Sequence, residues 1–202
     1  INVSWGGTGS SITYQNMINL ARDQGILVVA SAGNNGNATP FYPAAYDNVL
    51  AVAATKDNDV KASFSNYGSW VSISAPGQSI KSTVASSDNA YANKSGTSMA
   101  APMAAGLCAL IWSNNLGLTA DEVEDCLLMG ADNIDALNPS YAGQLGAGRI
   151  NAFSGVQCGA PVAVCNIPTD LSANVLSSST VVLNWNEASG VENYLVLSLI
   201  HI

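Results

Sequence analysis

Apolar residues over the first 157 positions fall into short continuous runs separated by segments of helical period. Ile1-Asn2-Val3-Ser4-Trp5 reads as a buried strand closed by Gly6-Gly7. Ser10 or Ser11 caps a predicted helix over roughly 12–24, with Ile12, Met17, Leu20 and Ala21 at core spacing and Gly25 as its stop. Ile26-Leu27-Val28-Val29-Ala30 is apolar throughout and of strand length, and it runs into the turn-forming Gly33-Asn34-Asn35-Gly36. Residues 49–54 form a second such run. Two-sided apolar strands separated by a helix predict a parallel sheet covered on both faces, an α/β architecture. Segment 63–76 reads as shorter strands and turns. A long helix is predicted from about Ser98 to Ser113, with Pro102 tolerated because it lies near the first turn. Thr119-Ala120-Asp121-Glu122 matches a capping box and opens a helix that stops at Gly130.

The pattern changes after Gln157. Cys158 to Pro168 has no helical period and reads as a linker over 158–167. Val181, Leu183 and Trp185 then alternate with polar neighbours, one face in and one face out, and Tyr194 and Val196 start another alternating run. Residues 168–196 are therefore expected to begin an all-β module of which two or three strands are present.

Composition narrows the function classes. Charged residues make up only 10% of the chain, against about 25% in an average soluble protein, and 48% of residues are hydrophobic. Such a chain has apolar surface to bury, so intrinsic disorder is excluded. Although mean hydropathy is +0.22, no run of ~18 apolar residues occurs, which excludes a membrane span of that kind. The net charge is −8, and the six basic residues are scattered between Arg22 and Arg149. Nucleic acid and anionic membrane surfaces are accordingly poor partners, since both require clustered Lys and Arg. Ser, Asn and Gly are abundant, at 24, 21 and 18 residues. Hydroxyls and amides, not charges, keep such a surface soluble, a look shared by secreted bacterial hydrolases.

The four cysteines, 108, 126, 158 and 165, form no CxxC pair and have no supporting His cluster, so no zinc site is expected. Their even number permits disulfides in an oxidising compartment. Cys158 and Cys165 are expected to bridge each other. For Cys108 and Cys126 two readings stand: a bridge tying successive helices, or two buried thiols. Both ends of the sequence are abrupt. Residue 1 opens inside a strand, and Leu197–Ile202 resembles the in-frame translation of a transposon sequencing adapter, with a genuine apolar strand as the other reading. His201, the one histidine, lies in that stretch.

The most informative segment is Gly96-Thr97-Ser98-Met99-Ala100-Ala101-Pro102. A serine at the start of a long buried helix sits where N–H groups and the helix dipole favour negative charge, a suitable place for a nucleophile whose attack creates an oxyanion. A capping serine is the plain structural reading. The flanking residues favour chemistry, because the segment resembles the active-serine motif of the subtilisin-like serine proteases (subtilases) residue for residue. Ala30-Ser31-Ala32-Gly33-Asn34-Asn35-Gly36 is similar to the subtilase segment ending in the oxyanion-hole asparagine, which falls on Asn34. Val3-Ser4-Trp5-Gly6-Gly7 resembles the strand lining the substrate cleft. Tyr42-Pro43-Ala44, residues 62–68, Ala75-Pro76-Gly77 and Gly146 to Ala152 match further family segments in the family's order.

The resemblance spans residues 1–157 and implies the C-terminal part of a subtilase catalytic domain. It implies a parallel sheet with helices on both faces and an acyl-enzyme serine endopeptidase acting on polypeptides. Ser98 would be the nucleophile and Asn34 the oxyanion donor, with Ser4, Trp5, Gly6, Ser31, Ala32, Gly33 and Thr97 at the substrate. The family's catalytic Asp and His would precede Ile1, in an N-terminal half of the same domain. The chain taken alone is thus expected to be inactive and incompletely folded. No cofactor is implied. Calcium finds no specific ligand, since Ser72 stands where some relatives use an Asp. Pro168, Trp185 and Tyr194 resemble the opening of a fibronectin type III domain. An extracellular location follows from the same resemblance. A non-catalytic binding or adhesion protein on a degenerate subtilase scaffold is the alternative. An α/β-hydrolase esterase requires Gly-x-Ser-x-Gly, and Ala100 breaks that pattern.

Overall fold

The computed structural model describes residues 1–158, 169–177 and 180–186, and the chain divides into two units, Ile1–Ala160 and Pro161–Ile202. The first unit is built on a four-stranded parallel sheet of β1 (Asn2–Val3), β2 (Val28–Ser31), β3 (Val49–Thr55) and β4 (Ile73–Pro76), in that spatial order. Register follows the apolar runs: Val28 pairs with Val49, Ala30 with Ala51 and Val52 with Ile73. Every residue of β2 and β3 is buried, as expected for parallel strands covered on both faces.

The two faces carry different helices. The cover on one face is α2 (Thr97–Asn114), whose Ala100, Ala101, Ala104, Leu107 and Ile111 pack on Val29, Leu50, Val52 and Ile73. Three alanines on that stripe let the helix lie close to the sheet. Behind it sit α3 (Ala120–Met129) and α4 (Ala152–Cys158). The Thr119–Glu122 capping box forms as predicted, with both reciprocal bonds present. The other face is covered by α1 (Ile12–Asp23), whose Ile18 and Ala21 join Val3, Tyr46 and the outer side chains of β2 and β3. A short hairpin of β5 (Ile80–Thr83) and β6 (Tyr91–Lys94) stands beside the sheet's C-terminal end and leads into α2.

Four expectations are corrected. Residues 1–5 are not a buried strand: among the described residues only Asn2–Val3 pair, on one side, and Trp5 is 70% exposed. In α1, Ile12, Met17 and Leu20 are 75%, 61% and 62% exposed, not core. Its apolar stripe is wider than the surface this sheet offers, so only Ile18 and Ala21 are covered. Its N-cap Ser11 makes no side-chain capping bond; the Ser11 N–H donates to the Tyr46 hydroxyl. Finally, the disulfide joins Cys126 to Cys158, stapling α3 to α4, and leaves Cys108 a buried free thiol. The Cα atoms of the bridged pair are 5.3 Å apart, within normal disulfide reach. Helix α4 continues through Cys158 and carries it back to α3, a contact the spacing alone did not disclose. Cys165 lies outside the described residues, as do Tyr194 and His201.

The second unit contains a hairpin of β7 (Thr169–Ser177) and β8 (Thr180–Asn186), antiparallel with Ala173 opposite Leu183. The alternation in β8 is that of a strand. Among the described residues all of β7 is exposed and Trp185 is half-buried.

Candidate active site

Ser98, Asn34, Thr97, Gly33 and Ser4 come together where β1, β2 and α2 converge. The means is a loop after β2, residues 32–37, that turns under the N-terminus of α2. Helix α2 has no side-chain cap of its own: its N-cap is Gly96. A helix start leaves orphan N–H groups, and here the loop supplies the acceptor. Asn34 Oδ1 accepts from the Thr97 N–H at 2.9 Å and from Thr97 Oγ1 at 3.0 Å. The Thr97 hydroxyl in turn accepts from the Gly33 N–H at 3.1 Å. Thr97 is fully buried and Asn34 is exposed, so the network runs from the protein interior to the surface.

With Oδ1 so occupied, Asn34 Nδ2 is turned outward and finds no acceptor among the described residues, and the same is true of the Ser98 N–H. The two donors face a common volume. A β-carbon placed on Gly96 would stand 3.5 Å from Asn34 Nδ2 and 3.6 Å from Ser98 N. The glycine at 96 therefore leaves open the space between two unpaired donors at a helix N-terminus, where a developing negative charge is favoured.

Ser98 and Ser4 exchange a reciprocal pair of bonds. Ser98 Oγ donates to the Ser4 carbonyl at 3.0 Å, and Ser4 Oγ donates to the Ser98 carbonyl at 3.0 Å. The second bond has a cause in the sequence. Pro102, which lies deeper than the first turn, has no N–H to give to the carbonyl four residues back. That carbonyl is Ser98's, and Ser4 satisfies it. Among the described residues no imidazole or carboxylate bonds Ser98 Oγ.

The remaining predicted residues frame this centre. Ser31 and Ala32 are buried at the end of β2. Gly6 and Gly33 face the Phe41 ring, which would lie 2.6 Å and 2.8 Å from β-carbons at those positions. Trp5 lines a groove of about 370 Å³ with Val3, Tyr14, Met17, Tyr42 and Tyr46. Ser72, where calcium came into question, uses its hydroxyl to accept from the Ala51 N–H. Among the described residues no group of three His, Cys, Asp or Glu side chains is placed to hold a metal. No described helix is long and apolar enough to cross a membrane.

Sequence reasoning did not single out Lys61 and Asn66. Lys61 is 5% exposed, donates through Nζ to the Ala62 and Ser65 carbonyls, and lies over the Tyr67 and Tyr141 rings. Among the described residues it has no carboxylate partner, and burial pushes its ammonium below the usual lysine range. Asn66 is buried against the 32–37 loop. Both fall in residues 62–68 or beside them, a segment read only as a family match.

Comparison with known proteins follows the same outline. The model of the subtilase family of peptidases matches residues 1–156. Thermitase of Thermoactinomyces vulgaris is 44% identical over 157 residues, covering 78% of this chain and 53% of that protein. An extracellular protease of Xanthomonas campestris pv. campestris is 40% identical over 205 residues, covering 97% of this chain and 34% of its own length. A solved protease structure from Pseudoalteromonas arctica superposes with a TM-score of 0.72 at 34% identity, over 79% of this chain and 51% of the other. The chain thus spans about half the length of these relatives, or less.

Proposed function

The chain belongs to the subtilase family, and from that premise we propose that it is the nucleophile-bearing part of a serine endopeptidase that cleaves polypeptides through an acyl-enzyme. Ser98 Oγ attacks the scissile carbonyl carbon. The hydroxyl proton passes to an imidazole held by an Asp, both supplied by the segment that precedes these residues in the family's order. Ser98 gives up its bond to Ser4 as it attacks. The carbonyl oxygen, now an oxyanion, accepts from Asn34 Nδ2 and the Ser98 N–H. Thr97 orients Asn34 by holding Oδ1, so that Nδ2 is aimed before substrate arrives. Such preorganised donors act chiefly on the transition state. Ser4, Trp5 and Gly6 on one side and Ser31, Ala32 and Gly33 on the other line the path of the substrate backbone.

The observation that carries this reading is the pair of unpaired donors beside Gly96 at the helix that starts with Ser98. Among the described residues β1 has a free edge and α1 an uncovered apolar face, which supports a further segment of the same domain packing there, the one that brings Asp and His. An extracellular setting is supported by the Cys126–Cys158 bridge, a bond favoured in oxidising compartments. The β7–β8 hairpin is proposed to open a fibronectin type III-like module.

Kinetics of the active protein test the assignment. Ser98→Ala is expected to abolish peptide hydrolysis. Asn34→Ala is expected to lose ~10²–10³ in kcat with KM little changed, a magnitude established for the oxyanion asparagine of subtilisin itself. A loss confined to KM would remove Asn34 from the oxyanion site.

A further inference from the structure

Asn34 is held from two sides. Its side chain is tied to Thr97, as described. Its backbone is tied by Asn66, a residue with no direct access to substrate: it is 1% exposed, beneath the loop. Asn66 Nδ2 donates to the Ala32 carbonyl at 2.9 Å, and Asn66 Oδ1 accepts from the Asn35 N–H at 2.9 Å. The Asn66 N–H donates to the Gly33 carbonyl at 3.0 Å, and Oδ1 also reaches the Asn37 N–H at 3.5 Å. One planar amide therefore grips the residues immediately around Asn34, offering a donor to the carbonyl two positions before it and an acceptor to the N–H one position after. A carboxamide carries both functions in one rigid group.

The fit depends on the loop's own sequence. Gly33 has φ +97°, and a β-carbon there would stand 2.6 Å from Asn66 Nδ2. A side chain at 33 would displace the amide that holds the loop. Asn66 is anchored in turn. Ser65 Oγ donates to the Asn66 carbonyl and accepts from the Ala54 N–H on β3, while Lys61 Nζ holds the Ser65 and Ala62 carbonyls. A chain of buried bonds thus runs from the central sheet through the 62–66 turn to the loop bearing Asn34. Removing the amide would leave the buried Ala32 carbonyl unpaired and release the Asn35 N–H from its acceptor.

We propose that Asn66 is a positioning residue for the oxyanion donor: by clamping residues 32, 33 and 35 it fixes the backbone from which Asn34 projects toward Ser98. The inference rests on the reading of Asn34 as oxyanion donor, and it assigns Asn66 an effect on kcat that operates through Asn34.

A double-mutant cycle in the proteolytically active protein tests it, with rates expressed per fluorophosphonate-titrated active site and folding followed by thermal unfolding. Asn66→Ala is expected to lower kcat by ~10-fold or more with KM little changed. In an Asn34→Ala background the same substitution is expected to change kcat by less than ~2-fold, since the donor it positions is gone. Asn66→Ser, which keeps a polar group in the pocket, serves in the same cycle if Asn66→Ala does not fold. Loss factors that multiply independently in the two backgrounds would overturn the proposal. So would a rise in KM with kcat intact, or unchanged kinetics in a folded variant. Asn34→Ala leaving kcat unchanged would instead show that the oxyanion assignment has failed.

Discussion

At the scale of single residues, glycines and buried polar groups set the site more than its chemically named members do. Gly96 keeps open the volume that Asn34 Nδ2 and the Ser98 N–H share. Gly96→Ala would put a methyl group beside both donors of the proposed oxyanion site, and kcat of the active protein is expected to fall at least ~10-fold. Retained kcat would mean that volume is not the oxyanion site. Lys61 offers a test by pH. Its buried ammonium titrates below the ordinary value of 10.5, so between the folded and the unfolded pKa the unfolded chain binds the additional proton. The destabilisation carried by the buried charge is present below the folded pKa and is lifted as pH rises toward 10.5. Measured against Lys61→Met by chemical unfolding, the wild type is expected to gain stability with rising pH in that window. A pH-independent difference would contradict the assignment. Cys108 is a thiol pushed up to about 12 by burial, with Glu124 adding to the shift. It is expected to resist iodoacetamide in the native protein and to react only on unfolding.

At the scale of elements, the sequence was most legible where one physical cause dominates. The runs at 26–30 and 49–54 became most of β2 and β3 because a strand covered on both faces is filled mainly by apolar side chains, with Ser31 and Thr55 only at the strand ends. The Thr119–Glu122 box became the start of α3 because its two bonds are local. Helix α1 was found, but its inner face was misjudged. Its apolar residues wrap over more than one face, and periodicity alone does not say which part meets the sheet. The disulfide was misassigned because sequence proximity of Cys158 and Cys165 said nothing of α4 lying against α3. Of the candidate site, Ser98 and Asn34 were proposed from motif, and the structure brings them together through Thr97 and Gly96. Asn66 was not, since a buried amide bonded to loop backbone leaves no periodic signature. The bridge yields a measurable expectation. Cys126 and Cys158 are 32 positions apart, and closing a loop of that length stabilises by about 3–4 kcal/mol on the chain-entropy account. Cys158→Ser is expected to reduce unfolding free energy by about that much in denaturant titration. No change would show that the bridge does not form.

At the scale of the whole molecule, one surface stands out. Among the described residues β1 pairs on one side only, α1 leaves Ile12, Met17 and Leu20 exposed, and Trp5 and Tyr14 flank an apolar groove. A free strand edge beside apolar side chains is a surface normally covered, and the proposed Asp- and His-bearing segment would cover it. Among the described residues no imidazole or carboxylate bonds Ser98 Oγ, and a serine without a base is a weak nucleophile at neutral pH, so the 202-residue chain by itself is expected to show no serine-inhibitor-sensitive casein hydrolysis. Sensitive turnover by the chain alone, lost in Ser98→Ala, would place a base within these residues.

The central claim is that Ser98 is the nucleophile of the complete protease. Its most direct test is to react the active protein with a fluorophosphonate, digest it, and locate the phosphonylated residue by mass spectrometry. The account predicts one adduct, on Ser98, formed in step with loss of peptidase activity and absent from Ser98→Ala. An adduct on any other serine that tracks inactivation, or undiminished labelling of the Ala variant, would contradict it.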